Sequence, residues 1–455
     1  MKTKSYLILM VLFTGTAAII GCKKNENTSN GNYASSGDAK NNAEQYNPSS
    51  IGKVVQAYYN NNLYSMLEVD NGQYLLGGDV LLEAKDIILV NGQSQRPKTE
   101  GTVHNNLWPN KTIYYKFYTG KATTSYFAPS DNYKTLWNAG KKMWEDEGFT
   151  FVLDSTQSNI IELRENKAGS AASSSIGYAG GKQYITFDPG SFSAGSFAHE
   201  IGHHIGLEHE QGRIDRDLFI NINWNNMIDK NGKDWTYQYA EKVGSVGVGS
   251  FDFGSIMLYP TRMTRIDGNA WTYQRDALSA GDKQAVKYWY GKDTYIATGN
   301  YKLTQYGSPS RVLEIEYRKS DSKAKIDSGV NVITDTLTTA DRSDRYTWEV
   351  SHVKDGYYKI LTLSKDKNGN TKTNALTMNT DSTLTVSAFT ANNNNQLWQI
   401  VPGYKDGSHY KLYPKTDPKL CINEVQGATG KKSNLNPNKI AKVAIVDTQE
   451  WGLTK

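Results

Sequence analysis

The run His199-Glu200-Ile201-Gly202-His203-His204-Ile205-Gly206-Leu207-Glu208-His209 constrains this chain more than any other stretch, because it gathers four of only seven histidines. On a helix, His199 and His203 stand four residues apart on one face, so both imidazoles reach a single tetrahedral zinc while Glu200 turns toward the water such a metal carries. Gly206 lets the backbone turn sharply and return His209 as a third ligand. Three neutral imidazoles leave a coordination position open and the metal Lewis-acidic. His204 lies about 100° round the helix from His203 and is not expected to bind the metal. A surface helix that merely happens to be histidine-rich is the bland alternative. With histidine this scarce, that spacing arises by chance on the order of once in a hundred thousand chains.

The chain has 455 residues, enough for two or three domains. Its mean hydropathy is −0.61, and only the first two dozen residues approach a membrane span, which argues against a channel or transporter. A net charge of +5 without a long Lys/Arg run gives no reason to expect a nucleic-acid partner. Lys2 and Lys4, an apolar run from Tyr6 to Ile20, and the ending Ala18-Ile19-Ile20-Gly21-Cys22 read as an export signal over residues 1–22. It resembles a bacterial lipoprotein signal, in which Cys22 would be acylated, anchoring the protein to the cell envelope, with the outer membrane the expected location. Ordinary cleavage nearby with Cys22 incidental is the alternative. The only other cysteine is Cys421, so an acylated Cys22 leaves no intramolecular disulfide.

Residues 23–50 are Asn/Ser/Gly/Lys-rich and read as a disordered tether. Residues 51–98 carry short strand-like runs, too few for a sturdy domain, and should lean on the larger domain C-terminal to them. Residues 99–293 alternate strands (112–118, 150–153, 160–163, 183–187) with helical patterns at 131–147 and 193–206, which reads as one α+β domain. From residue 299 the texture changes to β-runs with a period near fifty. Tyr301-Lys302-Leu303, Tyr358-Lys359-Ile360 and Tyr410-Lys411-Leu412 recur, as do Trp348-Glu349-Val350, Trp398-Gln399-Ile400 and Trp451-Gly452-Leu453. Three copies of a unit that cannot bury its own apolar face predict a closed three-fold, all-β assembly over 299–455.

Extended by Glu210-Gln211-Gly212-Arg213-Ile214-Asp215-Arg216-Asp217, the histidine motif resembles the astacin family of metzincin zinc endopeptidases, over about residues 99–290. Ser255-Ile256-Met257-Leu258-Tyr259 is similar to that family's Met-turn. The resemblance implies that Met257 supports the ligand imidazoles and that Tyr259 is a detachable zinc ligand. Leu107-Trp108-Pro109 leading to Ile113-Tyr114-Tyr115 resembles the opening strand of the mature domain, and residues 175–183 resemble the active-site edge strand, where peptide would bind by strand addition. Ala172 and Ser191 stand where most members have cysteines. The implied reaction is peptide-bond hydrolysis by zinc-activated water, with Glu200 as general base and Tyr259 donating to the oxyanion. Arg262, Arg265 and Arg275 follow the Met-turn, so either an acidic preference after the cut or solvated basic loops would account for them.

Leu76-Gly77-Gly78-Asp79 resembles the Phe-x-Gly-Asp motif of astacin precursors, whose Asp occupies the zinc; a plain Gly-Gly-Asp turn between strands is the other reading. Residues 51–98 are thus expected to be an inhibitory pro-segment. Maturation should fall near Arg96-Pro97-Lys98-Thr99, freeing the Thr99 amine to insert toward Glu210 and releasing enzyme from its anchor. Gln396-Leu397-Trp398 and Gln449-Glu450-Trp451 are similar to the Gln-x-Trp signature of ricin-B-type β-trefoils, with Tyr346-Thr347-Trp348 a degenerate copy. Those tryptophans should build core, with carbohydrate a candidate partner through other residues. The expectation is an exported, latent zinc endopeptidase acting on protein or peptide substrates, with a β-trefoil that targets glycans or surfaces. The competing reading is a glycan-binding surface protein with a vestigial protease domain.

Overall fold

Alternation of apolar and polar residues makes Ile51–Tyr59 (β1) and Asn62–Val69 (β2) an antiparallel hairpin, continued by Gln73–Leu76 (β3) and Val80–Glu83 (β4), with Ile88–Leu89 (β5) on the outer side of β1. This meander has a core of its own, including Ala57, Tyr64, Met66, Leu76 and Leu82. It leans on the neighbouring α+β domain, as expected. Thr112–Phe117 (β6), Thr150–Leu153 (β7), Ile160–Glu165 (β8), Ala171–Ser173 (β9) and Lys182–Phe187 (β10) extend it into one sheet of order β5-β1-β2-β3-β4-β9-β10-β8-β6-β7. The joint is a single parallel bridge, Val80 to Ser173. The edge strand therefore differs from expectation: β9 is the strand, whereas 175–181 forms bends and irregular backbone, with Gly177, Gly180 and Gly181 all at positive φ.

The computed structural model describes Tyr46 to Lys455, apart from residues 47, 49, 61, 91–106, 124–125, 167–169, 174, 229–233, 243–245, 293, 317–328, 338–342, 364–372, 406, 425–438, 443 and 445. Cys22, the tether up to residue 45 and the stretch 96–99 with Thr99 lie outside the described residues. The described residues fall in one compact unit, Asp38–Lys455. No helix among them is long and apolar enough to cross a membrane.

Asp131–Glu145 (α1) buries Tyr133, Trp137, Gly140 and Trp144 on one face, and Ser130 caps it by accepting from the Tyr133 amide. Ala194–His204 (α2) starts at a Ser193/Ser196 capping box and crosses α1 at Gly140, where a Cβ would lie 2.6 Å from Phe197 Cβ. Together with the sheet they enclose Ile113, Ile161, Leu163, Ile185, Phe187 and Met257. Ile220–Ile222 (β11) and Met263–Arg265 (β12) form a small ribbon, and Ala280–Gly291 (α3) closes the domain.

The repeat region has four strands per copy: Gly299–Gln305 (β13), Ser308–Ile315 (β14), Val330–Thr336 (β15) and Thr347–Lys354 (β16); Tyr357–Thr362 (β17), Asn374–Met378 (β18), Leu384–Ala388 (β19) and Trp398–Pro402 (β20); Tyr410–Pro414 (β21), Leu420–Asn423 (β22), Lys439–Lys442 (β23) and Trp451–Thr454 (β24). First and last strands pair in a ring, β13-β16-β17-β20-β21-β24 and back to β13, a closed six-stranded barrel. The middle strands pair as three hairpins, β14–β15, β18–β19 and β22–β23. That is a β-trefoil. Trp348, Trp398 and Trp451 are fully buried, and each indole donates to a carbonyl of its own repeat's second strand: Leu313 (2.9 Å), Leu376 (3.0 Å) and Ile422 (3.4 Å). Gln396 and Gln449 stitch the adjoining loops through backbone hydrogen bonds.

Candidate metal centre

Helix α2 carries His199 and His203 on its inner face and ends where Gly206, at φ +103°, reverses the chain. The Leu207 amide bonds back to the Gly202 carbonyl at 2.9 Å, and His209 comes round beside the other two rings. Each helical ligand has its second nitrogen on a backbone carbonyl: His199 Nδ1 to Ile256 O at 2.7 Å, His203 Nδ1 to Leu207 O at 3.0 Å. A carbonyl only accepts, so Nδ1 carries the proton and Nε2 presents a lone pair.

Into these lone pairs comes the carboxylate of Asp79, from the short loop between β3 and β4. Its Oδ2 lies 3.0 Å from His199 Nε2, 3.4 Å from His203 Nε2 and 2.9 Å from His209 Nε2. His209 Nε2 is 3.2 Å from each of the other two nitrogens. Lone pairs and a carboxylate oxygen repel at such distances unless a cation lies among them. A tetrahedron with edges of this length has its centre roughly 2 Å from each corner, the zinc–nitrogen and zinc–oxygen bond length. The residues present therefore fit zinc. Burial pushes His209 down to about 3 against the pull of Asp79, so its ring is neutral as a ligand requires.

The remaining predicted residues gather around this point. The Tyr259 hydroxyl donates to Asp79 Oδ2 at 2.7 Å. Met257 lies under α2 so closely that a Cβ on Gly202 would come within 2.5 Å of its sulfur. Glu200 is fully buried on α2, and its Oε2 accepts from the Ser173 hydroxyl at 2.7 Å. The Glu210 amide bonds Met257 O at 3.1 Å, tying the His209 loop to the Met-turn. Burial raises the Glu210 carboxyl to about 7 despite the lowering effect of Arg213. His204 points away from the metal, its Nε2 at 3.1 Å from Tyr184 O and its Nδ1 accepting from Gln183 Nε2 at 3.0 Å; burial drives it down to about 3.

Two readings of the sequence merge and one is corrected. Gly77-Gly78-Asp79 is both the hairpin turn and the loop that carries a carboxylate among the three imidazoles. Gly77 and Gly78 have φ +70° and +114°, and a Cβ on either would collide with His209 or Gln238. Arg275 is no substrate-binding cation: it is buried and its guanidinium donates to the Ile256 and Leu258 carbonyls, holding the Met-turn. Arg265 is engaged by Asp267 at 2.8 Å, and Arg262 lies over the Trp235 ring at 4.5 Å. Sequence reasoning missed Ser173 and also Asp282, whose oxygens receive the Ser255 hydroxyl (2.6 Å) and the Ile256 amide (2.9 Å). The Ser279-x-x-Asp282 capping box was the available signal for Asp282.

The sequence comparisons agree with this geometry. Residues 101–289 match the profile of the Astacin peptidase family. Flavastacin of Elizabethkingia meningoseptica is 27% identical over 72% of this chain and 72% of its own length. Zinc metalloproteinase nas-37 of Caenorhabditis elegans is 29% identical over 47% of this chain and 28% of its own length. Among solved structures, high choriolytic enzyme 1 of Oryzias latipes covers 41% of this chain and 92% of its own, at 22% identity and a TM-score of 0.34. The fold and site define a metzincin-type zinc hydrolase. Residues 101–289 form an astacin-like zinc metalloendopeptidase domain, followed by a β-trefoil.

Proposed function

We propose that the protein is an exported, latent zinc endopeptidase in which residues 51–98 block the cleft until they are removed. The observation that carries the reading is Asp79: a fully buried carboxylate, delivered by an N-terminal hairpin, sits among the three imidazoles where a substrate carbonyl would have to come. The same segment adds β4 to the edge strand β9, the backbone an extended peptide would use.

His199, His203 and His209 would hold the zinc, which supplies Lewis acidity and a more acidic water. Glu200 takes the water's proton and returns it to the leaving amine, while Ser173 fixes its carboxylate. The Tyr259 hydroxyl, once Asp79 has left, donates to the oxyanion. A new ammonium terminus at Thr99 would insert beside Glu210, toward a cavity of about 80 Å³ whose wall carries Glu210, Asp252 and Asp282 together with Arg213 and Lys242. Anchoring through an acylated Cys22 would make cleavage near Lys98 a release step as well. The trefoil would direct the enzyme to glycan-bearing surfaces through residues other than its three core tryptophans.

Glu200→Gln tests the chemistry: zinc content of the purified chain should stay at one per molecule while peptide hydrolysis after processing falls by roughly 10²–10⁴-fold. A variant that keeps both zinc and activity removes Glu200 as the base.

A further inference from the structure

A chain of buried polar groups runs from the trefoil to the loop that carries His209. The Tyr404 hydroxyl, just after β20, donates to Asp215 Oδ2. Asp215 takes a two-pronged contact from Arg213, Nε to Oδ1 and Nη2 to Oδ2, each 2.9 Å. Arg213 also donates to Glu210 Oε1 at 2.9 Å and to the carbonyls of Ser250 and Gly249. All five guanidinium donors are thereby used, and Gly247 leaves room for the group: a Cβ there would lie 2.1 Å from it. On the trefoil side the Tyr404 amide is held by Glu450 at 2.8 Å, and the Lys411 ammonium lies 4.4 Å over the Tyr404 ring. Arg213, Asp215, Tyr404, Lys411 and Glu450 are all buried.

His209, unlike His199 and His203, is on a loop, so its position depends on what holds that loop. Several contacts hold it, among them the Asp252 amide on Glu210 Oε1 at 2.8 Å and the Tyr259 amide on Gln211 at 3.1 Å. The Glu210 amide grips Met257 O, and the Glu210 carboxylate grips Arg213, whose orientation depends on Asp215. We propose that Tyr404 of the trefoil is a positioning residue for the zinc site, acting through Asp215, Arg213 and Glu210 on the His209 loop. The trefoil is then a structural part of the peptidase as well as a surface reader. This rests on the zinc-peptidase reading above and adds a residue 189 positions away from Asp215 in sequence.

Tyr404→Phe keeps the ring in its place beside Phe219 and removes only the hydroxyl. In the intact chain, zinc transfer to a chelator should run about tenfold faster than in the parent, the scale of an outer-sphere partner lost. Hydrogen exchange of amides in 207–213 should rise with it. Val401→Ala is the control for docking alone, since the Val401 side chain belongs to the apolar contact between the domains and offers no polar group to this chain of hydrogen bonds. It should lower the melting temperature and leave zinc transfer within about twofold. Asp215→Asn carries the same comparison if Tyr404→Phe fails to fold. Zinc transfer at the parent rate in Tyr404→Phe, or equal acceleration in Val401→Ala, overturns the proposal. A parent chain that binds no zinc overturns the peptidase reading instead, so the two failures are distinguishable.

Discussion

The zinc loop is held from two sides, and the two holds are built differently. In front, the N-terminal meander meets it with Asp79 among the imidazoles, the Tyr64 hydroxyl 2.7 Å from Glu208 and one strand bridge at Val80, and it packs apolar side chains on Ile176 and Tyr237 of the peptidase domain. Behind, the trefoil meets the peptidase domain with a filled apolar contact, Val246, Val248, Tyr288 and Trp289 against Val401, Tyr413 and Cys421, and its Tyr404 hydroxyl reaches Asp215, the partner of a guanidinium whose donors are all used. Cys421 is a buried free thiol within that contact, pushed up to about 12 by burial. The front contact places a carboxylate among the three imidazoles. The rear contact leaves the cleft alone. Polar contacts that water can replace make up part of the front hold, whereas apolar area and satisfied buried charge make up the rear one.

The contrast can be broken most severely from behind. Trp289→Ala removes a large side chain from the rear contact and should cost about 3–5 kcal/mol in a denaturant melt, while the amides of β1–β4 keep their protection. Equal loosening of β1–β4 would mean the two holds are one cooperative unit. From the front, Asp79→Ala deletes a charge-assisted contact of about 1.5–3 kcal/mol, so the uncleaved chain should hydrolyse peptides on the order of tenfold faster than the parent. A folded, zinc-loaded Asp79→Ala chain as silent as the parent would leave latency to the bulk of the segment. The finest test is Tyr64→Phe, which deletes one hydrogen bond to Glu208. It should cost ~1 kcal/mol, read as faster exchange in β2 with the trefoil unchanged.

Helix α2, the reversal at Gly206 and the three-fold Trp repeat were legible because each is a local pattern: a spacing of four, a glycine at a turn, a period near fifty. Asp79 was legible in part, since Gly-Gly-Asp specifies a turn wherever it lies. What it enters is decided by a contact 120 residues away. The edge strand was misplaced by a few residues, because β9 is recognised by its pairing to β10 and β4 and barely by its composition, Ala-Ala-Ser. Arg275 read as a surface cation, and only the packing of the Met-turn around it shows a buried brace.

The identity of the metal-binding side chains and the repeat architecture were thus written along the chain by itself, in spacings that a helix or a strand imposes within a few residues. The partners of those side chains were not. Ser173 reaches Glu200 across 27 residues, Asp282 reaches Ile256 across 26, and Tyr404 reaches Asp215 across 189. A hydrogen bond between distant segments has no periodicity to betray it, because it forms only after sheet, helix and barrel have brought the two groups within about 3 Å of each other. Only the tertiary structure could decide them.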